Sequence, residues 1–145
     1  MTSKFKLEIY VDRPPEFWRD MGPFFAFRSV RREMPYLADE PGYTWFVIRD
    51  TAALQDYTST VVAFASLHVD KAGVGHLHSL YVTAANRKTG LAAKLIDDRL
   101  AYLLSRDCKI IRTTANANSM RLFVDRGFKA LKERGQYLEM EKTWP

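Results

Sequence analysis

The spacing of apolar residues changes from a strand period to a helix period between Val82 and Thr89, and this change constrains the fold most. The preceding run, VGHLHSLYV from Val74 to Val82, has the length and the β-branched and aromatic content of a strand. From Thr89 to Ser105 the apolar residues recur at helical spacing, at Leu91, Leu95, Ile96, Leu100, Leu103 and Leu104. The charged residues of the same segment fall on the opposite, solvent-facing side: Lys94, Asp97, Asp98 and Arg99. The sequence therefore predicts a strand that feeds a helix through a short loop.

The other segments predict further strands and helices. Strands are predicted at Phe5–Val11, Tyr43–Arg49, Thr60–Val69 and Lys109–Thr114, with residues 50–59 as a connection. The segment Pro15–Met34 predicts two short helices that separate near Gly22-Pro23, with an apolar side made of Phe24, Phe27, Val30 and Met34. A helix at Asn118–Arg126 is followed by a hairpin of Phe128–Leu131 and Gln136–Lys142, which turns at Glu133-Arg134-Gly135.

The order of these elements predicts the fold class. Strand–helix–strand passages in the second half imply parallel pairing, whereas three successive strands in the middle imply an antiparallel meander. We therefore expect one α+β domain over residues 1–145, with a mixed sheet of about six or seven strands flanked by about four helices. A chain of 145 residues that is 47% hydrophobic has enough apolar material for one such core.

The composition argues against membrane, disulfide-rich and metal-binding classes. No apolar run approaches the roughly 20 residues that a membrane-spanning helix needs, and the first residues lack the apolar segment of a secretory signal. The single cysteine, Cys108, excludes an internal disulfide and a multi-cysteine zinc site. We therefore expect a cytoplasmic protein with no membrane partner and no metal, in which Cys108 is structural.

Positive charge is concentrated in the second half of the chain. Residues 1–72 carry 9 Lys and Arg against 10 Asp and Glu, whereas residues 73–145 carry 13 against 7. This asymmetry favours a polyanionic partner, and a phosphate-rich cofactor or a nucleic acid would both satisfy it. A solvated basic surface without such a partner is the remaining alternative.

The loop between the predicted strand and helix, RKTGLA from Arg87 to Ala92, has the composition of an anion site. Backbone N–H groups in the first turn of a helix lack intrahelical acceptors, and the helix dipole adds positive potential there. Gly90 allows a phosphate to approach the backbone, and Arg87 and Lys88 add formal charge. The spacing fits neither a Walker loop nor a dinucleotide fingerprint. An ordinary helix cap with nearby charges is the alternative.

Two motifs in this half of the chain occur together, in the same order, in one known family. The first is Arg-x-x-Gly-x-Ala at Arg87–Ala92, after a strand that ends Leu-Tyr-Val. The second is the run from Asn116 to Phe128, Asn-x-x-Ser-x-x-x-Phe-x-x-x-Gly-Phe. Both are similar to motifs of the GCN5-related N-acetyltransferase (GNAT) family, which also shows this order of elements. The resemblance is strong over residues 74–128 and only architectural over residues 1–73.

The resemblance implies acetyl-CoA, or another acyl-CoA, as the cofactor. The pantetheine arm would contact Leu80, Tyr81 and Val82 beside a gap between splayed strands. The pyrophosphate would lie on Arg87, Lys88, Thr89, Gly90, Leu91 and Ala92. Further cofactor positions are Asn116, Ser119 and Phe123. Many relatives have Tyr where this chain has Phe123, and that Tyr is proposed to protonate the leaving thiolate. Since phenylalanine has no proton to give, another group or solvent would serve, or catalysis is weak.

His76 and His78 are the candidate catalytic residues. The period of two places both on one face of the strand that leads to the loop. An amine nucleophile must lose a proton before or during attack on a thioester, and histidine suits that task near neutral pH. In many relatives a Glu that acts through water occupies the place of His76. A hydrogen-bonded structural histidine is the alternative for both residues, and it is favoured for His78.

The early helices are the candidate acceptor site. They fall where relatives place a substrate-gripping helix pair, and we expect contacts to the acceptor from Phe27, Arg28 and Arg31. A helix with an apolar core stripe and a solvated basic face explains the same residues equally well.

The resemblance implies transfer of an acetyl group from acetyl-CoA to a primary amine by direct attack, with a small molecule, a peptide or a protein as acceptor. Two other functions stay open. A nucleic-acid base would be the acceptor if the arginines and phenylalanines of the early helices hold phosphates and bases, as in phage-type relatives. A protein that binds acyl-CoA without catalysis is suggested by Phe123. Dimers are common among similar proteins, so a homodimer is also allowed.

Overall fold

The computed structural model describes residues 4–51 and 60–145. The strands are β1 Phe5–Tyr10, β2 Thr44–Asp50, β3 Val61–Val69, β4 Gly75–Val82, β5 Ile110–Ala115, β6 Lys129–Arg134 and β7 Tyr137–Thr143. The helices are α1 Pro15–Ala26, α2 Arg28–Glu33, α3 Leu91–Leu104 and α4 Met120–Asp125, with a short 3-10 turn at Ala84–Asn86. The predicted order of strands and helices is confirmed. The predicted connection at residues 50–59 lies largely outside the described residues.

The seven strands form one mixed sheet in the order β1-β2-β3-β4-β5-β7-β6. β1 runs antiparallel to β2, β4 runs parallel to β5, and β7 runs antiparallel to both β5 and β6. The parallel strands β4 and β5 are joined through α3, because parallel neighbours need a crossover of a dozen or more residues. The predicted mixed sheet with four helices is confirmed.

β4 contains one more residue than β3 over the length in which the two strands are paired. The N–H of Asp70 donates to the Val74 carbonyl at 2.9 Å, and the N–H of Thr83 donates to the Val62 carbonyl at 2.9 Å. These bonds at opposite ends require antiparallel strands. Eight positions lead from Val62 to Asp70 but nine from Val74 to Thr83. The extra residue marks a β-bulge between Val74 and Thr83, and Ser79, with a φ of 56°, lies in this stretch.

The described residues form two compact units. One takes in the residues up to Ser66 together with Ser79–Leu95, and the other consists of Leu67–His78 and Ile96–Pro145. The core of the first unit is aromatic: Trp45 and Phe64 are fully buried, and Phe17 of α1 packs on Trp45 with ring centroids 6.1 Å apart. This packing explains why the amphipathic sequence of α1 forms a helix on that sheet surface.

Helix α1 runs without a break through Gly22 and Pro23, so the predicted separation there is wrong. Phe17, Met21 and Phe24 recur at helical spacing across the proline and are all buried. A proline inside a helix costs about 3 kcal/mol, whereas each buried side chain of this size contributes about 1.5–3 kcal/mol. The chain leaves helical geometry only at Phe27, with a ψ of 129°.

Arg99 is fully buried in α3, so its predicted place on the solvent-facing side is wrong. It lies four residues after Leu95 and four before Leu103, and both leucines are fully buried. Positions four apart lie on the same face of a helix, so Arg99 belongs to the buried row of α3. The charge of the residue obscured this spacing in the sequence.

The closing hairpin turns at Gly135 and Gln136, later than the predicted Glu133-Arg134-Gly135. Arg134 and Tyr137 are the last paired residues on either side. Gly135 has a φ of 59°, which a two-residue hairpin turn requires at its first central position. Along residues 4–51 and 60–145, no helix has the length and apolar character needed to cross a bilayer.

Candidate active site

The loop between β4 and α3 is built on a left-handed backbone. Lys88 and Gly90 have φ values of 64° and 85°. A Cβ atom added to Gly90 would meet nothing within 4 Å, so the backbone conformation, rather than crowding, accounts for the glycine. The side chain of Asn86 donates to the Thr83 hydroxyl at 2.9 Å, and the Thr89 hydroxyl donates to the Asn86 carbonyl. These bonds brace the loop from within.

The loop leads directly into helix α3, and the space beside Gly90 at the start of this helix is open. The N–H of Lys94 donates to the Gly90 carbonyl at 3.0 Å, so the helical hydrogen bonds of α3 begin at Gly90. The helix has 14 residues, and its first-turn N–H groups have no acceptor within the helix. Lys88 and Thr89 are exposed beside this turn. The arrangement can hold an anion at the start of α3.

Arg87 is held by groups of its own unit. Its Nε donates to the Val82 carbonyl at 2.9 Å and its Nη2 to Glu33 Oε2 at 2.7 Å, and its guanidinium lies 5.5 Å from the centre of the Tyr81 ring. The hydrogen bond to Arg87 lowers the pKa of Glu33 and raises the pKa of Arg87. Glu33 is 54 residues away in the chain, so no signal in the sequence could have identified it.

The three residues predicted to contact pantetheine are half-buried at the end of β4. Tyr81 stacks on Phe64 with ring centroids 5.4 Å apart and lies 6.3 Å from Phe24. Burial raises the pKa of the Tyr81 hydroxyl. The packing fixes the strand end from which Leu80 and Val82 project. The predicted cofactor residues from Leu80 to Ala92 thus belong to one unit.

The second unit contains a histidine cluster made of His68 on β3 and His76 and His78 on β4. The His68 ring lies 4.6 Å from the His76 ring and 4.9 Å from the His78 ring, with interplanar angles of 9° and 4°. His76 and His78 therefore lie on one face of β4. His68 Nδ1 is 2.8 Å from His78 Nε2, so one of these nitrogens donates and the other accepts. His68 was not among the candidate residues predicted from the sequence.

His78 and His76 have different surroundings. Burial, followed by the charges of His68, His76 and Arg99, lowers the pKa of His78 to about 4. The buried Arg99, whose own pKa burial lowers to about 9, donates from Nη1 to the His78 carbonyl at 3.2 Å. The side chain of His76 is 25% exposed, and its Nε2 lies 2.9 Å from Asp70 Oδ2. His78 is therefore neutral near pH 7, and His76 pairs with a carboxylate.

His78 makes the fold sensitive to acid. A free histidine has a pKa of about 6.5, whereas His78 in the folded protein has a pKa of about 4. Between these values the unfolded chain binds a proton that the folded chain does not, so stability falls as the pH drops. Between pH 7 and pH 4 the wild type loses unfolding free energy because of His78, and we expect His78→Gln to make this loss smaller by up to about 3 kcal/mol, measured by urea unfolding. Equal losses in the two proteins would contradict this expectation.

The second motif forms a turn before α4. Asn116 Oδ1 accepts hydrogen bonds from the N–H groups of Asn118 and Ser119, at 2.9 and 3.0 Å, and from the Ser119 hydroxyl at 3.2 Å. The N–H of Met120 donates to the Asn116 carbonyl at 2.9 Å. Phe123 is buried and packs edge-on against Phe128, with ring centroids 5.1 Å apart. The motif therefore shapes the start of α4, and its contacts to a cofactor stay a prediction.

The predicted acceptor residues lie at the junction of α1 and α2. Phe27 is 54% exposed because it occupies the extended link between the helices, and not the apolar side where the sequence placed it. Arg28 is exposed at the first position of α2. Arg31 Nη1 donates to the carbonyls of Leu37 and Phe25, at 3.2 and 3.4 Å. Arg31 thus stabilises the local backbone, while Phe27 and Arg28 project from it.

The described part of the chain contains no group of three or more His, Cys, Asp or Glu side chains arranged to hold a metal ion. The histidine cluster is not such a group, because its rings stack in parallel and two of its nitrogens bond to each other. Metal ligands must instead direct their lone pairs to a common point.

Comparison with known proteins identifies the fold. A model of the Acetyltransferase (GNAT) family matches residues 8–128. No curated protein matches the sequence. An acyl-CoA N-acyltransferase from Pseudomonas aeruginosa is similar, with a TM-score of 0.72, 14% identity, and coverage of 96% of this chain and 99% of that chain. For a GNAT-family acetyltransferase from Staphylococcus aureus Mu50 the TM-score is 0.66, at 10% identity and coverage of 96% and 98%. For a chain of the NatC complex bound to Gag peptide and CoA it is 0.71, at 12% identity and coverage of 98% and 99%.

Proposed function

We propose, since the chain belongs to the GNAT acetyltransferase family, that it transfers an acetyl group from acetyl-CoA to a primary amine. The observation that carries this proposal is the Arg87–Ala92 loop, which combines the family motif with an open, left-handed entry into α3. That geometry suits a diphosphate, because first-turn N–H groups and a lysine provide positive potential without a bulky side chain in the way.

The reaction needs a group that accepts a proton. The amine nitrogen attacks the carbonyl carbon of the thioester, the C–N bond forms as the C–S bond breaks, and CoA leaves as a thiolate that takes up a proton. The attacking amine gives up one proton in the same process. In the proposed mechanism His76 accepts it, since His76 is partly exposed and paired with Asp70.

His78 is the weaker candidate for the base. It is neutral near pH 7, which a base requires, but burial lowers its pKa and it is already bonded to His68. A structural role explains these contacts fully. The thiolate does not receive its proton from Phe123, because that side chain is a buried hydrocarbon. Water or another donor supplies it.

The acceptor amine contacts Phe27, Arg28 and Arg31 in this proposal. Phe27 and Arg28 are exposed at the α1–α2 junction, and Arg31 holds the backbone that presents them. A small molecule, a peptide and a protein amine all satisfy this surface. Nucleic acid is less well supported, because Arg31, one of the arginines that would neutralise phosphates, already donates to two backbone carbonyls.

Radiolabelled acetyl-CoA offered with separate panels of small amines, peptides and DNA tests the proposal. We expect label to move to an amine of the first two panels, with one CoA thiol released for each acetyl group transferred. The amines without enzyme give the background rate. Label on DNA would instead favour the nucleic-acid alternative, and tight binding of acetyl-CoA without transfer would favour a non-catalytic acyl-CoA-binding protein.

A further inference from the structure

The carboxylate of Asp70 is held in one orientation by the turn between β3 and β4. Its Oδ1 accepts hydrogen bonds from the N–H groups of Ala72 and Val74, at 2.9 and 3.0 Å. Its Oδ2 lies 2.9 Å from His76 Nε2. The hydrogen bond to His76, followed by the one from Val74, lowers the pKa of Asp70. The carboxylate is therefore ionised near neutral pH, and it can only accept hydrogen bonds.

An acceptor at this position determines which nitrogen of His76 carries the proton. A neutral imidazole has one N–H and one lone pair, and the nitrogen that faces a carboxylate must be the N–H. We infer that Asp70 is a positioning residue that holds His76 in the Nε2–H tautomer and leaves Nδ1 as the proton-accepting atom. The importance of Asp70 for catalysis rests on the proposed role of His76 as the base. The tautomer of His76 does not depend on that role.

The other charged and titratable groups around His76 do not set this tautomer. His68, stacked on His76, directs its Nδ1 to His78 instead. The His78 ring is 6.3 Å away. Arg112, the neighbour of His76 in the β4–β5 register, donates from Nε to Glu141 at 2.7 Å. Among the residues that the structure describes around His76, Asp70 is thus the carboxylate that bonds to it.

Asp70 also stabilises the imidazolium that the reaction would produce. When Nδ1 takes a proton from the amine, the ring becomes positive while Nε2–H still donates to a carboxylate at 2.9 Å. A charge-assisted hydrogen bond is about twice as strong as a neutral one, so the bond to Asp70 strengthens as the ring becomes positive. The arrangement is that of an acid–base histidine oriented by a third group.

A turn-forming role explains the bonds to Oδ1 but not the one to Oδ2, and Asp70→Asn separates the two. The asparagine oxygen can still accept from Ala72 and Val74, so the turn is preserved. Its NH₂ group then faces His76 Nε2 and donates, which forces the proton of the ring onto Nδ1. The substitution therefore inverts the tautomer while it keeps the shape of the turn.

Imidazole ¹⁵N NMR of the full chain reads the tautomer directly. The protein has three histidines, so the signals are assignable with single His→Gln variants. We expect Nε2–H in the wild type and Nδ1–H in Asp70→Asn, together with a fall in kcat of roughly 10²-fold or more when the base is withdrawn. Glu141→Gln, which removes a carboxylate bonded to Arg112, is the matched control and should leave the tautomer of His76 unchanged.

The spectra and the rates separate this inference from the proposed function. A wild-type His76 with its proton on Nδ1 would overturn the inference, and so would an unchanged tautomer in a folded Asp70→Asn. An inverted tautomer with a lower rate supports both ideas. If the tautomer inverts and acetyl transfer is unaffected, Asp70 positions His76 as inferred, but His76 is not the base. Because the wild-type spectrum is informative alone, the test survives if Asp70→Asn fails to fold.

Discussion

Replacement of His76 by alanine is expected to lower kcat by roughly 10²- to 10⁴-fold, the range that a positioned acid–base group contributes. Affinity for acetyl-CoA should stay nearly intact, because His76 is not among the predicted cofactor residues at the end of β4, in the loop and first turn that follow it, and around the start of α4. Stopped-time assays of labelled product give kcat, and calorimetry gives the affinity.

His78→Ala is the matched comparison, since it removes an imidazole from the same strand and the same stack. We expect a smaller effect on the rate, because Nε2 of His78 is already hydrogen-bonded to His68. A His76→Ala enzyme that turns over at the wild-type rate would show that His76 is structural. The base would then be sought in ordered water.

Gly90→Glu is expected to abolish binding of acetyl-CoA, with a loss of at least roughly 10²-fold, which corresponds to about 2.7 kcal/mol. Gly90 has a φ of 85°, so any side chain strains the loop, and the open space beside it would receive the carboxylate. A negative charge at the start of α3 would then oppose the pyrophosphate. Calorimetry with acetyl-CoA measures the loss, and Gly90→Ala separates the strain from the charge.

Gly42→Glu controls for the cost of a side chain in a left-handed conformation. Gly42 has a φ of 87° and open space around it, as Gly90 has, but it lies in the turn before β2. We expect both Glu variants to lose a similar amount of unfolding free energy, and only Gly90→Glu to lose the cofactor. Unchanged affinity in a folded Gly90→Glu protein would show that the pyrophosphate does not bind at this loop.

The sequence alone determined the features that depend on residues close together in the chain. The change from strand to helix spacing between Val82 and Leu91 is local, and the structure has β4 and α3 at those positions. The need for glycine at position 90 is also local, because a left-handed backbone has its cost at that one residue. The period of two placed His76 and His78 on one face, where their rings lie.

Asp70 shows where local signals stop being sufficient. It is only six residues before His76, and the Asp-x-x-Gly run before β4 is a readable turn signal. That signal explains the two bonds to Oδ1. The direction of Oδ2 depends on the twist and register of β3 against β4, and these follow from the pairing of whole strands.

Only the tertiary structure decided the features that depend on partners distant in the chain. Pro23 predicts a helix break, but burial of Phe17 and Phe24 against the sheet outweighs its local cost. The sequence places Arg99 on the solvent-facing side of α3, but packing of the helix buries it. The sequence gives no partner for Arg87, whereas in the folded protein Glu33 of α2 lies 2.7 Å from it. Local conformation is set by the residues of one turn or strand, whereas burial and ion pairing are set by segments whose packing depends on the whole chain.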